Sequence, residues 1–189
     1  LALVTPSTGR LAVLLASEDA RFLPAFSPSA DAWGKDPQEA FGLLRRYFPR
    51  SLIQIESPLD RDCGYFQLTG FRPGSAPRRP FSERFDAIRL LAGGDRGEAA
   101  DLIEYWFELL NRGQRVFVTA GSGSASMRDA RLMGGRTYVH CPRASERVGR
   151  ADLMQAVEAL AERPDAFVTN GPFLKVTVGG MPPTVTLRK

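Results

Sequence analysis

Apolar positions along this chain follow two spacings. Short unbroken runs at residues 1–5, 11–16, 51–55, 85–91, 115–120 and 136–140 predict strands. Longer stretches repeat apolar residues three and four apart, the spacing of one helix face. In 97–111 that face is Leu102, Ile103, Trp106, Leu109 and Leu110, and Asn111-Arg112-Gly113 supplies a stop. In 37–47, Pro37 follows Asp36 as a first-turn residue, with Phe41, Leu43, Leu44 and Phe48 on the apolar side. In 151–160, Leu153, Met154, Val157 and Leu160 share a side, and Asp152 suits the positive end of the helix dipole. Residues 6–10 read as a turn. Residues 24–36, rich in Pro, Ser and Asp, read as a loop, as does the long aperiodic stretch 56–83.

Strand and helix alternate over most of the chain, which predicts an α/β fold with a parallel sheet or barrel. At the end the order changes. Strands at 166–169, 173–178 and 184–187 follow one another, the last two joined through Gly179-Gly180-Met181-Pro182-Pro183. The chain therefore divides into a β/α domain over 1–165 and a C-terminal β segment over 166–189, a short hairpin or the start of a β module.

Composition narrows the function classes. The 189 residues suit one domain with or without a small appendage. With 43% hydrophobic and 24% charged residues, the chain has the make-up of a packed globular protein rather than a disordered one. No apolar run approaches the roughly 20 residues of a membrane span. The opening LALVTPSTGRLAVLL lacks the basic leader and unbroken apolar core of a signal peptide. Because it begins at Leu and stops at TVTLRK, the chain is read as a processed product or a piece of something longer.

The formal net charge is +4, and three of the 25 basic residues are Lys, leaving 22 Arg. The arginines are spread along the chain among 21 acids, which argues for composition bias over a nucleic-acid-binding stripe. Pro, Gly and Ser interrupt the densest stretch, RPGSAPRRPFSER at 72–84, so it reads as a solvated loop. Cys63 and Cys141 lack CxxC spacing and fit either one disulfide or two free thiols.

Candidate chemistry is sparse. A catalytic metal needs several His, Cys, Asp or Glu side chains converging. The single histidine, His140, neighbours Cys141 in a strand, where adjacent side chains point to opposite faces and cannot readily share an ion. The loop Gly121-Ser122-Gly123-Ser124-Ala125-Ser126 resembles an anion nest but has neither GK[ST] nor GxSxG. Glu56, Asp60 and Asp62 follow a strand end and read as a solvated loop or, alternatively, a cation site.

Several pieces in consistent order carry a resemblance. FDAIRLLAG (85–93) resembles a Phe-Asp-Ala-hydrophobic-Glu strand, and YWFELLNRG (105–113) a Trp-x-x-Leu-Leu-Asn-x-Gly helix end. RTYV (136–139), a helix and VTNGP (168–172) follow, while LIQIESP and GYF (52–58, 64–66) resemble an Ile-Asn-His-Pro strand with a downstream Gly-Tyr-Phe. Together they resemble the PHP metallohydrolases, in particular the CehA/McbA-like branch, across most of 50–180. The resemblance implies a distorted β/α barrel, here partial, with metals at the C-terminal strand ends.

The departures fall on the ligands. Where that family has Ser-Asp-Ser-His, this chain has Ser122-Gly123-Ser124-Ala125; where it has Asn-His-Pro, this chain has Glu56-Ser57-Pro58. The family's opening His-x-His and Thr-Asp-His motifs are absent. Neutral imidazoles and carboxylates activate a metal-bound water, and Gly and Ala cannot replace them.

The leading expectation is thus a non-catalytic PHP-like domain, a scaffold for binding or assembly. It needs no metal and no cofactor, and its partner is another protein or other domains of a longer chain. Ser57, Gly123 and Ala125 mark degenerate ligand positions; Glu56, Ser122, Ser124 and Asn170 mark a polar or anion pocket. Two alternatives stand behind it. One is a metal-dependent hydrolase or phosphoesterase using Glu56, Asp60 and Asp62. The other is an anion or nucleic-acid binding module using Arg78, Arg79 and Arg84.

Overall fold

A computed structural model describes residues 2–5, 9–14, 34–49, 51–92, 96–121, 134–139, 149, 152, 155–157, 160 and 166–171. In chain order these form β1 (Ala2–Thr5), β2 (Gly9–Leu14), α1 (Pro37–Tyr47), β3 (Leu52–Ile55), α2 (Tyr65–Thr69), β4 (Ala87–Ala92), α3 (Arg96–Asn111), β5 (Phe117–Gly121), β6 (Arg136–Val139) and β7 (Ala166–Thr169). Strands β1 to β5 make one five-stranded sheet in sequence order. The expected α/β class holds, but the sheet is mixed: β1, β2 and β3 pair antiparallel, while β3, β4 and β5 run parallel. Among the described residues the strands form an open sheet and a separate antiparallel pair, β6–β7, rather than a closed barrel.

Local chemistry explains the helices. Asp36 caps α1, its Oδ1 accepting from the Glu39 N–H at 2.9 Å, and Pro37 occupies the first turn, where its missing N–H costs nothing. Helix α3 ends as expected: Gly113 takes φ of 82°, its N–H donates to the Leu110 carbonyl at 2.9 Å, and the Gln114 N–H donates to the Leu109 carbonyl at 3.0 Å.

The stretch 56–83 is not the unstructured loop that its pattern suggests. It contains α2, five residues with no side-chain N-cap, closed by Gly70 in the left-handed conformation at φ 65°. So short a helix is held by tertiary contacts rather than propensity. Tyr65 is wholly buried, and its hydroxyl donates to the Ser82 carbonyl at 2.9 Å and accepts from the Ser82 N–H at 2.7 Å.

The strand registers sort the sheet into two faces. Leu11, Ile55 and Ile88 align across β2, β3 and β4, as do Val13 and Ile53, and this face is wholly buried. Phe41 and Leu44 of α1, Tyr65 and Phe66 of α2, and Leu102 and Leu109 of α3 join the same core. Aromatic contacts knit it together, among them Phe41 edge-on to Tyr65 at 5.6 Å and Phe66 stacked on Tyr105 at 5.4 Å. The opposite face carries Ala12, Gln54, Ala87 and Arg89, with Thr119 in register beside Arg89.

At the entrance to the parallel strands, Asp86 joins three elements. Its Oδ2 accepts from the Ile53 N–H at 2.7 Å and its Oδ1 pairs with Arg45 of α1 at 2.5 Å. At the far side, β6 reaches β5 through a side chain: the Thr137 hydroxyl donates to the Ala120 carbonyl at 3.0 Å and accepts from the Ala120 N–H at 2.8 Å. The β7 strand, in the expected C-terminal segment, pairs along its whole length with β6. The predicted strands at 173–178 and 184–187 lie outside the described residues.

Candidate functional site

The exit ends of parallel strands are where open α/β sheets place their ligands, because the connections there splay apart into a crevice. In this chain a row of polar side chains runs from mid-strand on β4 and β5 to Glu56, just past the exit end of β3, on the face opposite the aromatic core. The Thr119 hydroxyl donates to Gln54 Oε1 at 2.7 Å. Gln54 Nε2 in turn donates to Glu56 Oε1, and the Arg89 guanidinium pairs with Glu56 Oε2. Gln54, Glu56 and Thr119 are each less than a tenth exposed, so these groups depend on one another for hydrogen bonding.

Backbone geometry prepares the place. The β4–β5 register slips between Arg89 and Leu91, a bulge that directly follows Arg89. Bulges of this kind re-aim the neighbouring side chain. Gly121 makes room for it, since a Cβ there would stand 2.8 Å from Arg89 Nη2. Above the network lies a cavity of about 330 Å³, lined on its apolar side by Ala12, Val139 and Leu160.

The sequence-derived candidates distribute unevenly over this site. Glu56 is at its centre. Ser57, next along, is half-buried, has φ of 42° and is not among the residues lining the cavity. Asn170 follows β7 half-buried, in a turn where the Gly171 N–H donates to Thr169 Oγ1 at 2.9 Å. Ser122, Gly123, Ser124, Ala125, His140 and Cys141 lie outside the described residues.

The acidic group of Glu56, Asp60 and Asp62 does not converge. Among the described residues no three His, Cys, Asp or Glu side chains are placed to hold a metal ion. Asp60 instead closes its own turn, Oδ1 accepting from the Asp62 N–H at 2.9 Å, the Cys63 N–H at 3.0 Å and the Cys63 thiol at 3.3 Å. The Cys63 N–H, then that of Asp62, hold the Asp60 carboxyl below its ordinary range. Burial, then the hydrogen bond to Asp60, pushes the Cys63 thiol up, so this free thiol is a poor nucleophile.

The arginine-rich stretch is tied to its own loop. The Arg78 side chain packs over Gly70, and Arg79 Nη1 donates to the Leu68 carbonyl at 3.4 Å. Arg84 lines a second, larger hollow of about 600 Å³ at the entrance end of the strands, with Gln38, Glu83, Arg112 and Gln114.

Gln54, Arg89 and Thr119 escaped the sequence reading as site residues, and Thr137 entered it only as part of RTYV. Gln54, Arg89 and Thr119 are each a polar residue inside an apolar strand run, and that interruption was the available signal. No family model, curated protein or solved structure matches this chain.

Proposed function

We propose that this chain is a non-catalytic, PHP-like domain that serves as a scaffold for binding or assembly. The observation that supports it is the Arg89 guanidinium paired to Glu56 at the exit ends of the parallel strands. In the strand pattern that FDAIRLLAG resembles, the position of Arg89 belongs to Glu. A carboxylate there would attract a cation; a guanidinium is itself the cation. A divalent ion approaching Glu56 would meet a fixed positive charge, at a cost of about 4 kcal/mol per unit charge at about 4 Å in a partly screened site.

Framework positions of the same resemblance keep structural tasks. Asp86 ties β3, β4 and α1, Gly113 ends α3, and Thr137 within RTYV secures β6 to β5. Retained framework positions around an occupied charge centre support a domain kept for its shape rather than for metal chemistry. The test is metal content of the purified protein by mass spectrometry. Substoichiometric metal is expected; a stoichiometric transition metal would overturn the proposal.

A further inference from the structure

We infer that the cavity above Gln54, Glu56 and Arg89 binds a small monocarboxylate with a short apolar body. This deepens the scaffold reading by giving those strand ends a ligand class.

A guanidinium carries five N–H donors, and Glu56 engages Arg89 through Nη1 alone. Gln54 has two amide hydrogens and gives one to Glu56. On the acceptor side, each oxygen of Glu56 receives one bond, the Gln54 carbonyl receives one from Thr119, and the Thr137 hydroxyl oxygen receives one from the Ala120 N–H. Among the described residues, Arg89 and Gln54 therefore keep N–H donors that this network does not use. Two coplanar oxygens of a carboxylate match the guanidinium fork.

Shape and charge narrow the class. The cavity's roughly 330 Å³ falls at the small end of ligand pockets, which run from about 300 to 1,000 Å³, and suits a small ligand. Ala12, Ala120, Val139 and Leu160 give the ligand's body an apolar wall, which inorganic phosphate would leave uncovered. Glu56 disfavours a dianion more than a monoanion, because like charges repel at this depth.

Isothermal titration of the full chain with benzoate and isovalerate, against benzamide, isovaleramide and inorganic phosphate, tests the inference. Saturable binding of an acid is expected, with its amide weaker by about tenfold, since the carboxylate presents two oxygens and a charge to the guanidinium fork where the amide presents one neutral oxygen. Phosphate should bind more weakly than either acid. Glu56→Gln should tighten carboxylate binding, because it removes a competing negative charge; its amide oxygen accepts from Arg89 once the Gln54 amide flips to face its oxygen to the new N–H and donates to the Thr119 hydroxyl. Arg89→Met should abolish binding. Absence of saturable binding, equal affinity for acid and amide, preferred binding of phosphate, or weaker binding by Glu56→Gln would each overturn it. Metal content and carboxylate titration read separate quantities, so failure of the scaffold reading and failure of this one are told apart.

Discussion

The hydroxyl of Tyr65 meets the backbone of Ser82 in both directions, donating to its carbonyl and accepting from its N–H, so one side chain satisfies both backbone groups of a buried residue. This pair anchors α2 to the far end of the 56–83 stretch. Burial also holds the Tyr65 phenol far above its ordinary range. Below about pH 10, phenol is neutral in folded and unfolded chains alike, and the stability it contributes is fully present. Above that, the unfolded chain ionises Tyr65 while the fold does not. Stability should then fall as pH rises, by up to about 1.4 kcal/mol per pH unit from this residue. Tyr65→Phe should cost about 2–3 kcal/mol at neutral pH, by leaving the Ser82 backbone unpaired, and should flatten the alkaline slope. Urea unfolding measured from pH 7 to 11 on both proteins checks this.

Thr137 is the second place where a single hydroxyl serves two backbone groups. Thr137→Val keeps the volume and removes the hydroxyl, leaving the N–H and carbonyl of Ala120 without that partner. A loss of about 1–3 kcal/mol is expected. The Ala120 amide should exchange its hydrogen faster in the variant, while amides on β2 and β3 keep their rates. Unchanged Ala120 exchange would sink this account of how β6 is fastened.

Two glycines separate strain from collision. Gly9 has φ of 63°, and a Cβ there would lie 2.0 Å from the Cys63 carbonyl oxygen, which is backbone and cannot step aside. Gly113 has φ of 82° with nothing within 4 Å of its would-be Cβ. Gly113→Ala should therefore cost about 1–2 kcal/mol of left-handed strain. Gly9→Ala should cost more than about 4 kcal/mol or prevent folding, because strain and overlap add. Comparative denaturation of the two alanine variants decides it.

Ser57 has a side chain in the same left-handed region, at φ of 42°. Such a residue stores about 1–3 kcal/mol. Replacement by Gly releases that strain and returns roughly 0.5–1 kcal/mol as extra freedom of the unfolded chain. Ser57→Gly is expected to stabilise the protein by about 1 kcal/mol, read as a higher urea midpoint at unchanged slope.

Much of the fold can be read from local pattern, and what cannot be is non-local. Helix α1 announces itself through Asp36 and Pro37, whose capping chemistry lies within one turn. Helix α2 does not, because Gly64 offers no capping side chain and its stability comes from Ser82 and the aromatic core, far along the chain. Strand runs are legible, but whether two strands pair parallel or antiparallel depends on connections, so the antiparallel pairing of β2 with β3 has no local signature. The site divides likewise. Glu56 stands out as an acid just after a strand. Arg89 looks like an isolated interruption in an apolar run until register places it beside Thr119 and across from Glu56.

Asp86 and Arg45 meet just before β4 on the helix-covered face of the sheet, whereas Glu56 and Arg89 meet on the other face. The anchoring task and the cavity thus occupy separate faces, and exchange of residues on one face need not loosen the other. Under selection, such a sheet can shed or acquire chemistry at its exit ends while its architecture is inherited intact.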